Sequence, residues 1–164
     1  MLNTMTYKRI LCAIDFSDCS RQAFYVALKY SQLFEAEAVL LHVREKTVTA
    51  DGLEQNEEEL VALERGIRRR LDELAAQDGI TAEQRKRLDF EVRGGKPWVE
   101  ITSYANDNEV DLIIMGTHGT TNLLKSLIGS QAERVVRRAN CHVLVVKPAG
   151  FDATQQGIPE RFRV

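Results

Sequence analysis

The chain has 164 residues, of which 28% are charged and 44% hydrophobic, and its net charge is −2 at pH 7. These values suit one globular domain, and the small charge with dispersed basic residues argues against a nucleic-acid partner. No stretch of about 18 apolar residues could span a membrane, and the first residues lack the apolar core of a secretion signal, so we expect a cytoplasmic protein.

The first part of the chain predicts two buried strands with a helix between them. Residues 9–14 and 38–43 are continuous apolar runs, which are typical of strands covered on both faces. Ser17 or Asp18 can cap the intervening helix, whose apolar residues recur at helical spacing.

A long helix, a short polar segment, a third strand and the start of a further helix are predicted in the middle of the chain. Residues 54–77 form a long amphipathic helix, and residues 81–87 form a short polar segment. The apolar stripe of the long helix consists of Leu60, Leu63, Ile67, Leu71 and Leu74. Residues 88–92 alternate between apolar and polar, as in a strand at a sheet edge. Pro97 suits the first position of the next helix.

Three glycines lie between a fourth strand and a helix. The apolar run at residues 110–115 leads into Gly116-Thr-His-Gly119, and Gly129-Ser130 follows after nine residues. Glycines let backbone N–H groups approach an anion, and a helix N-terminus adds unpaired donors and partial positive charge. The spacing predicts a phosphate cradle. The alternative is a long surface connection in which Ser130 is an ordinary helix cap.

A helix at residues 130–139, a last strand at 141–148 and a tail at 149–164 complete the chain. Five strands alternating with four helices predict a doubly wound, parallel α/β sheet in one domain, residues 1–148. In such sheets a ligand binds beyond the carboxyl ends of the strands, where the strand order reverses. We therefore expect the ends of the first two strands and the glycine loop to lie together.

Asp15 and His118 are further candidates for this site. Asp15 ends an apolar strand, where it can bind a ribose, an adenine amine or a hydrated cation, or can simply cap a turn. His118 lies between two glycines, where it can donate to a phosphate oxygen or remain exposed without a contact. His42 alternates with Val43, so we expect it to pack beneath a helix.

No catalytic or metal site is predicted. Cys12, Cys19 and Cys141 have no metal spacing, and no two of the three histidines lie at a helical ligand spacing. The chain has no G-x-S-x-G motif, and no nucleophile is paired with a general base. The residues therefore favour binding of a nucleotide over its turnover.

Several segments in order resemble the universal stress protein family, in its ATP-binding branch. The resemblance covers residues 7–148 and rests on residues 9–17, 40–43, 95–101, 111–119, 129–135 and 143–146. It implies a Rossmann-like fold of the adenine nucleotide alpha hydrolase-like class. Residues 120–122 depart from the pattern, because they are Thr-Thr-Asn where many relatives have Arg-Ser-Gly. The missing arginine removes a possible phosphate contact.

The resemblance also implies a ligand and an assembly. It implies a cytosolic homodimer that binds ATP, often with Mg²⁺ or Mn²⁺, and that helps cells withstand stress. Adenine and ribose contacts are implied for Ala13, Ile14, Asp15, Val43, Met115 and Gly116. Phosphate contacts are implied for Gly119, Gly129, Ser130 and the backbone of Gln131. Dimers of the family often pair their last strands, here Val143 to Val146.

We therefore expect a nucleotide-dependent sensor or regulator of the stress response, in which the nucleotide orders the glycine loop and an unidentified protein partner reads the result. Two alternatives stay open at this point. One is a dimeric interaction module of the same fold whose crevice binds no nucleotide, and the other is a slow ATPase.

Overall fold

The computed structural model of the chain describes residues 6–45, 57–77, 79–117 and 129–148. The elements are, in chain order, β1 (Arg9–Ala13), α1 (Asp18–Phe34), β2 (Glu37–Arg44), α2 (Glu57–Ala75), α3 (Ala82–Lys86), β3 (Leu88–Gly94), α4 (Pro97–Asp107), β4 (Leu112–Gly116), α5 (Ser130–Arg138) and β5 (His142–Val146). No helix in the described ranges combines the length and apolar character that crossing a bilayer requires.

The strands form one parallel sheet in the order β3-β2-β1-β4-β5. In its centre, Cys12 of β1 lies opposite Leu40 of β2 on one side and Ile114 of β4 on the other. The chain builds the sheet outward from β1 to β3, then returns past β1 to add β4 and β5. The doubly wound parallel sheet is therefore confirmed, and the strand order reverses between β1 and β4. Strand β3 lies at an edge, as its alternating pattern predicts.

The sheet has a core on each face because successive side chains of a strand point to opposite sides. On one face Ile10 and Cys12 pack with α1 and α2, where Phe24 is fully buried. On the other face Leu11 packs with α4 and α5, where Val135 is fully buried. These are called the α1/α2 face and the α4/α5 face below.

Ser17 is the N-cap of helix α1 and is one of the two caps that the sequence allows. The Ser17 hydroxyl accepts a hydrogen bond from the N–H of Ser20 at 3.2 Å. Asp18 is the first residue of the helix, where its charge suits the positive end of the helix dipole. The helix ends at Glu35, which has a left-handed φ of 53°.

Residues 81–87, predicted as a polar segment, contain the short helix α3. The Thr81 hydroxyl accepts from the N–H of Gln84 at 3.1 Å, and Gln84 Oε1 accepts from the N–H of Thr81 at 2.9 Å. This reciprocal pair is a capping box. The helix has 5 residues, none of them buried, so no apolar period marks it. The prediction of four helices is wrong, because α3 is a fifth in the described ranges.

The apolar stripe predicted on α2 is wrong at Leu63. Ile67, Leu71 and Leu74 are buried on the α1/α2 face, whereas Leu63 is 40% exposed. Among the described side chains of α2, burial begins at Ile67, so the helical period marks more residues than the sheet covers. The side chain of Leu60 lies outside the described residues, as do residues 54–56 of the predicted helix.

Candidate functional site

The carboxyl ends of β1, β2 and β4 meet at one edge of the sheet. Ala13 lies opposite Leu41, and the N–H of Ile14 continues this ladder by donating to the Leu41 carbonyl at 2.9 Å. The side chains of Ala13, Val43 and Met115 belong to the apolar cluster of the α4/α5 face. The structure therefore brings these three predicted residues to one edge, and their contact with a ligand stays a prediction.

Ile14 differs because its side chain lies on the α1/α2 face, where it is 2% exposed. Its carbonyl oxygen lies 2.7 Å from Nδ1 of His42, which must carry the hydrogen because a carbonyl only accepts. Both backbone groups of Ile14 thus bond within the protein. The second lone pair of its carbonyl oxygen is the group of Ile14 that can still form a hydrogen bond with a ligand.

His42 lies on the α1/α2 face, where its ring contacts the turn between β1 and α1. Its centroid is 5.0 Å from that of Phe16, and the Arg70 guanidinium of α2 lies 3.9 Å from the centroid of the Phe16 ring. Burial lowers the pKa of His42, the hydrogen bond to Ile14 and the charge of Asp15 oppose this shift, and Arg70 adds to it. His42 therefore supports the turn as a neutral ring.

Asp15 stabilises the same turn. Its Oδ1 accepts from the N–H of Ser17 at 3.0 Å and from the Ser17 hydroxyl at 2.6 Å. Between them Phe16 has a φ of 64°, a left-handed conformation that is uncommon for a large side chain. The turn-capping role that the sequence allows for Asp15 is thus observed, and its contact with a ribose or a cation stays a prediction.

Gly116 lies where the first turn of α1 packs against the end of β4. A Cβ at this position would be 2.8 Å from Sγ of Cys19 and 3.0 Å from its backbone carbonyl carbon. The Cys19 thiol donates to the carbonyl of Val146 at 3.2 Å and lies 3.5 Å from the Thr117 hydroxyl. Gly116 therefore has a packing role that sequence reasoning missed, since nothing local shows that α1 approaches β4.

The two ends of the glycine loop are joined to each other and to β5. The N–H of Thr117 donates to the Val146 carbonyl at 2.9 Å, and the N–H of Gly129 donates to the Thr117 carbonyl at 2.6 Å. The Gly129 amide, predicted to contact phosphate, is thus already bonded within the protein. His118 and Gly119 lie outside the described residues, and their contacts with a ligand stay predictions.

The first turn of α5 presents backbone donors at this edge. Gly129 is the N-cap and provides no side-chain cap, so Ser130 is the first helical residue and does not serve as the ordinary cap that the sequence also allowed. The first intrahelical bond runs from the N–H of Glu133 to the Gly129 carbonyl at 3.0 Å. The amides of Ser130, Gln131 and Ala132 precede it and so have no carbonyl within the helix. With the positive end of the helix dipole, they can hold an anion.

The side chain of Gln131 connects α5 to α4. Its Oε1 accepts a hydrogen bond from the backbone N–H of Trp98 at 3.2 Å. Helix α4 has Pro97 in its first turn, as predicted, and its N-cap Lys96 forms no side-chain cap bond. Two helix N-termini are therefore adjacent at this edge. The family resemblance implies a role only for the backbone of Gln131. The side-chain contact was not predicted, because it depends on the approach of two distant helices.

Within the described ranges, no group of three or more His, Cys, Asp and Glu side chains is placed to hold a metal ion. Burial raises the pKa of the Cys12 thiol and, with Asp111 nearby, that of the Cys141 thiol. Both thiols are therefore stabilised in the protonated form, which is the poorer ligand and nucleophile.

Comparisons with known proteins agree with this architecture. The model of the universal stress protein family matches residues 6–147. The universal stress protein MJ0577 of Methanocaldococcus jannaschii is 34% identical over 161 residues, covering 88% of this chain and 97% of the relative. The universal stress protein MJ0531 of the same organism is 34% identical over 146 residues, covering 86% and 82%.

Solved structures show the same fold. The structure of MJ0577 superposes with a TM-score of 0.74 at 30% identity, covering 90% of this chain and 100% of that one. A universal stress protein solved in complex with cAMP superposes with a TM-score of 0.66 at 20% identity, covering 88% of this chain and 100% of that one. At that identity the second likeness concerns the fold alone.

Proposed function

We propose that this chain, which belongs to the universal stress protein family, binds an adenine nucleotide at the carboxyl ends of β1 and β4. The observation that carries the proposal is the strand order, which reverses between β1 and β4. In doubly wound sheets the crevice at this reversal is where ligands bind. The apolar residues Ala13, Val43 and Met115 lie at the same edge as the N-terminus of α5.

The chemistry of this edge suits the two ends of a nucleotide. The half-buried Ala13 and Val43, which pack with the buried Met115, provide an apolar surface for a base, while the first-turn amides of Ser130 and Gln131 provide donors for phosphate oxygens. A universal stress protein of Archaeoglobus fulgidus solved in complex with dAMP shares the fold, with a TM-score of 0.58 at 18% identity. Together with the cAMP complex, it shows that this fold accommodates adenine nucleotides in those proteins.

ATP with Mg²⁺ or Mn²⁺ is the form that we propose for the ligand. Asp15 is the carboxylate at the end of β1, and Mg²⁺ in proteins is typically held by one or two carboxylates together with substrate phosphates. The carboxylate of Asp15 therefore suits a cation whose other ligands are the phosphates of the nucleotide. When bound, such a cation would neutralise charge on the phosphates, while Asp15 would orient it from the protein side.

The cellular role that we propose is that of a cytoplasmic, nucleotide-dependent regulator of the stress response.

Strand β5 lies at a sheet edge, with half-buried Val143, Val145 and Val146, and offers a surface for a second copy of the chain. Sedimentation equilibrium tests the assembly: the proposal predicts the mass of a dimer, and a monomer at all concentrations would contradict it.

A proline at position 130 tests phosphate binding by the first turn of α5. Proline has no N–H but favours the first position of a helix, and Gly129 already has the φ of −66° and ψ of 153° that a residue before proline adopts. Ser130→Pro therefore removes one donor and keeps the helix. We expect it to weaken ATP binding by roughly tenfold in calorimetry, because a hydrogen bond to a charged group is lost.

Ser130→Ala is the matched control, since it removes the hydroxyl but keeps the amide. Equal loss of affinity in both variants would assign the contact to the hydroxyl. If the unaltered protein binds neither ATP, ADP nor AMP at millimolar concentrations, with or without Mg²⁺, the proposed function is wrong.

A further inference from the structure

The carboxamide of Gln131 has a fixed orientation between two helix N-termini. Gln131 is the second residue of α5, and the Trp98 amide that it contacts at 3.2 Å belongs to the second residue of α4. A backbone N–H can only donate, so the atom that faces it must be the amide oxygen rather than the amide nitrogen. The N–H of Trp98 therefore determines which way the side-chain amide of Gln131 is turned.

The oxygen end of this carboxamide is thus occupied by α4, which leaves the nitrogen end for another acceptor. The structure shows no hydrogen bond from Nε2 of Gln131 to another described residue. Its two N–H donors start from the same first turn of α5 whose backbone amides of Ser130, Gln131 and Ala132 have no carbonyl within the helix. A side-chain donor therefore accompanies the backbone donors at the N-terminus of α5.

We propose that Gln131 determines specificity for nucleotide phosphates: its side-chain nitrogen donates to a phosphate oxygen held at the first turn of α5, while the Trp98 amide holds its oxygen. The inference rests on the proposed function, because it names a further contact of that same site. It adds a neutral, directed donor to the backbone amides. Such a donor discriminates a nucleotide from a nucleoside without requiring a positively charged side chain.

The surroundings of Trp98 keep the two helices in register. The guanidinium of Arg138, at the last turn of α5, lies 4.7 Å from the centroid of the Trp98 ring. Helix α5 thus contacts Trp98 at both of its ends, through Gln131 and through Arg138. A side chain held in its binding orientation before the ligand arrives loses less conformational entropy on binding.

Gln131→Glu changes the nitrogen end of the carboxamide while it keeps an oxygen at the other end. Glutamate keeps the length of the side chain and an oxygen for the Trp98 amide, and its charge suits the positive end of α5, so the variant should fold. It replaces the phosphate donor by a negatively charged acceptor. We expect its affinity for ATP to fall by more than about tenfold, with adenosine affinity unchanged, in calorimetry of the full chain with each ligand.

Gln131→Met is the second variant, since it keeps the length but removes both hydrogen-bonding ends. We expect an intermediate loss of ATP affinity that persists at high salt, whereas part of the loss in Gln131→Glu is charge repulsion that salt screens. Thermal unfolding of each variant reports whether it is folded. If the side chain of Gln131 donates nothing to phosphate, the loss in Gln131→Glu is charge repulsion alone and Gln131→Met binds ATP like the unaltered protein; this result would overturn the inference.

Tryptophan fluorescence gives a second readout, because Trp98 is the single tryptophan of the chain. We expect ATP to change its emission in the unaltered protein and to change it less in Gln131→Met, which lacks the link to α5. Failure of the inference and failure of the proposed function are distinguishable. ATP binding by Gln131→Met that equals binding by the unaltered protein contradicts the role of Gln131 alone, and no ATP binding by the unaltered protein contradicts both.

Discussion

The absence of a side chain at Gly116 lets the first turn of α1 pack against the end of β4. The neighbouring atoms are the thiol and the backbone of Cys19, and the backbone cannot move without moving the helix. The same thiol bonds to the Val146 carbonyl. The sequence connects Gly116 only with a ligand, but the packing of α1 against β4 also requires a glycine at this position.

Gly116→Ala should lower the free energy of unfolding by about 1–3 kcal/mol, which is the usual cost of overpacking a core. Urea denaturation measures the change. Adding Cys19→Ala removes the Sγ contact at 2.8 Å but leaves the backbone contact at 3.0 Å. Because Cys19→Ala also removes the bond to Val146, it is the reference: in that background Gly116→Ala should cost less than in the unaltered protein, but still lower the unfolding free energy. An unchanged unfolding free energy in Gly116→Ala would show that α1 adjusts freely.

His42 should make stability depend on pH. Burial lowers its pKa in the folded protein below the ordinary value of 6.5, so the unfolded chain binds more protons than the folded one as pH falls. Its contribution is fully present above pH 6.5 and is lost as pH falls through the lowered pKa. His42→Asn, whose amide can still donate to the Ile14 carbonyl, should flatten the plot of unfolding free energy against pH in this range. A slope equal to that of the unaltered protein would contradict this, and His142→Asn controls for the loss of a histidine.

At the scale of single elements, long amphipathic helices and helix caps can be predicted from the sequence. A short helix without an apolar period, and the extent of the buried face of a helix, cannot. The prediction of Pro97 at a helix start is confirmed, and Ser17 is one of the two caps that the sequence allows, because helix starts depend on neighbouring residues. Helix α3 was missed because its signal is a capping box without an apolar period. Leu63 was placed in the core because a helical period does not show where the sheet beneath it ends.

Gly66 offers a prediction for α2. It lies in the interior of this helix and is exposed, and a Cβ there would meet no atom of the described residues within 4 Å. Gly66→Ala should therefore raise the free energy of unfolding by about 0.5–1 kcal/mol, because alanine loses less backbone entropy in a helix. Thermal unfolding measures the gain. A decrease in stability would contradict this prediction.

At the scale of the whole molecule, the strand content and the position of the glycine loop followed from local patterns, whereas the strand order did not. The contacts that complete the site join residues distant in sequence: His42 with Ile14, Cys19 with Val146, and Gln131 with Trp98. No local sequence pattern predicts such pairs, since they arise when separate βα units pack on the same sheet. The resemblance to a known family supplied the candidate ligand contacts that spacing could not.

The central claim is that an adenine nucleotide lies across the carboxyl ends of β1 and β4 with its phosphates on the first turn of α5. The most direct test is a titration of the isotope-labelled protein with ATP and Mg²⁺, followed through its backbone amide resonances. We predict that the largest shifts occur at the amides of Ser130 and Gln131 and at the strand ends around Ala13 and Met115. Shifts confined to other surfaces, or no shifts at millimolar ATP, would contradict it.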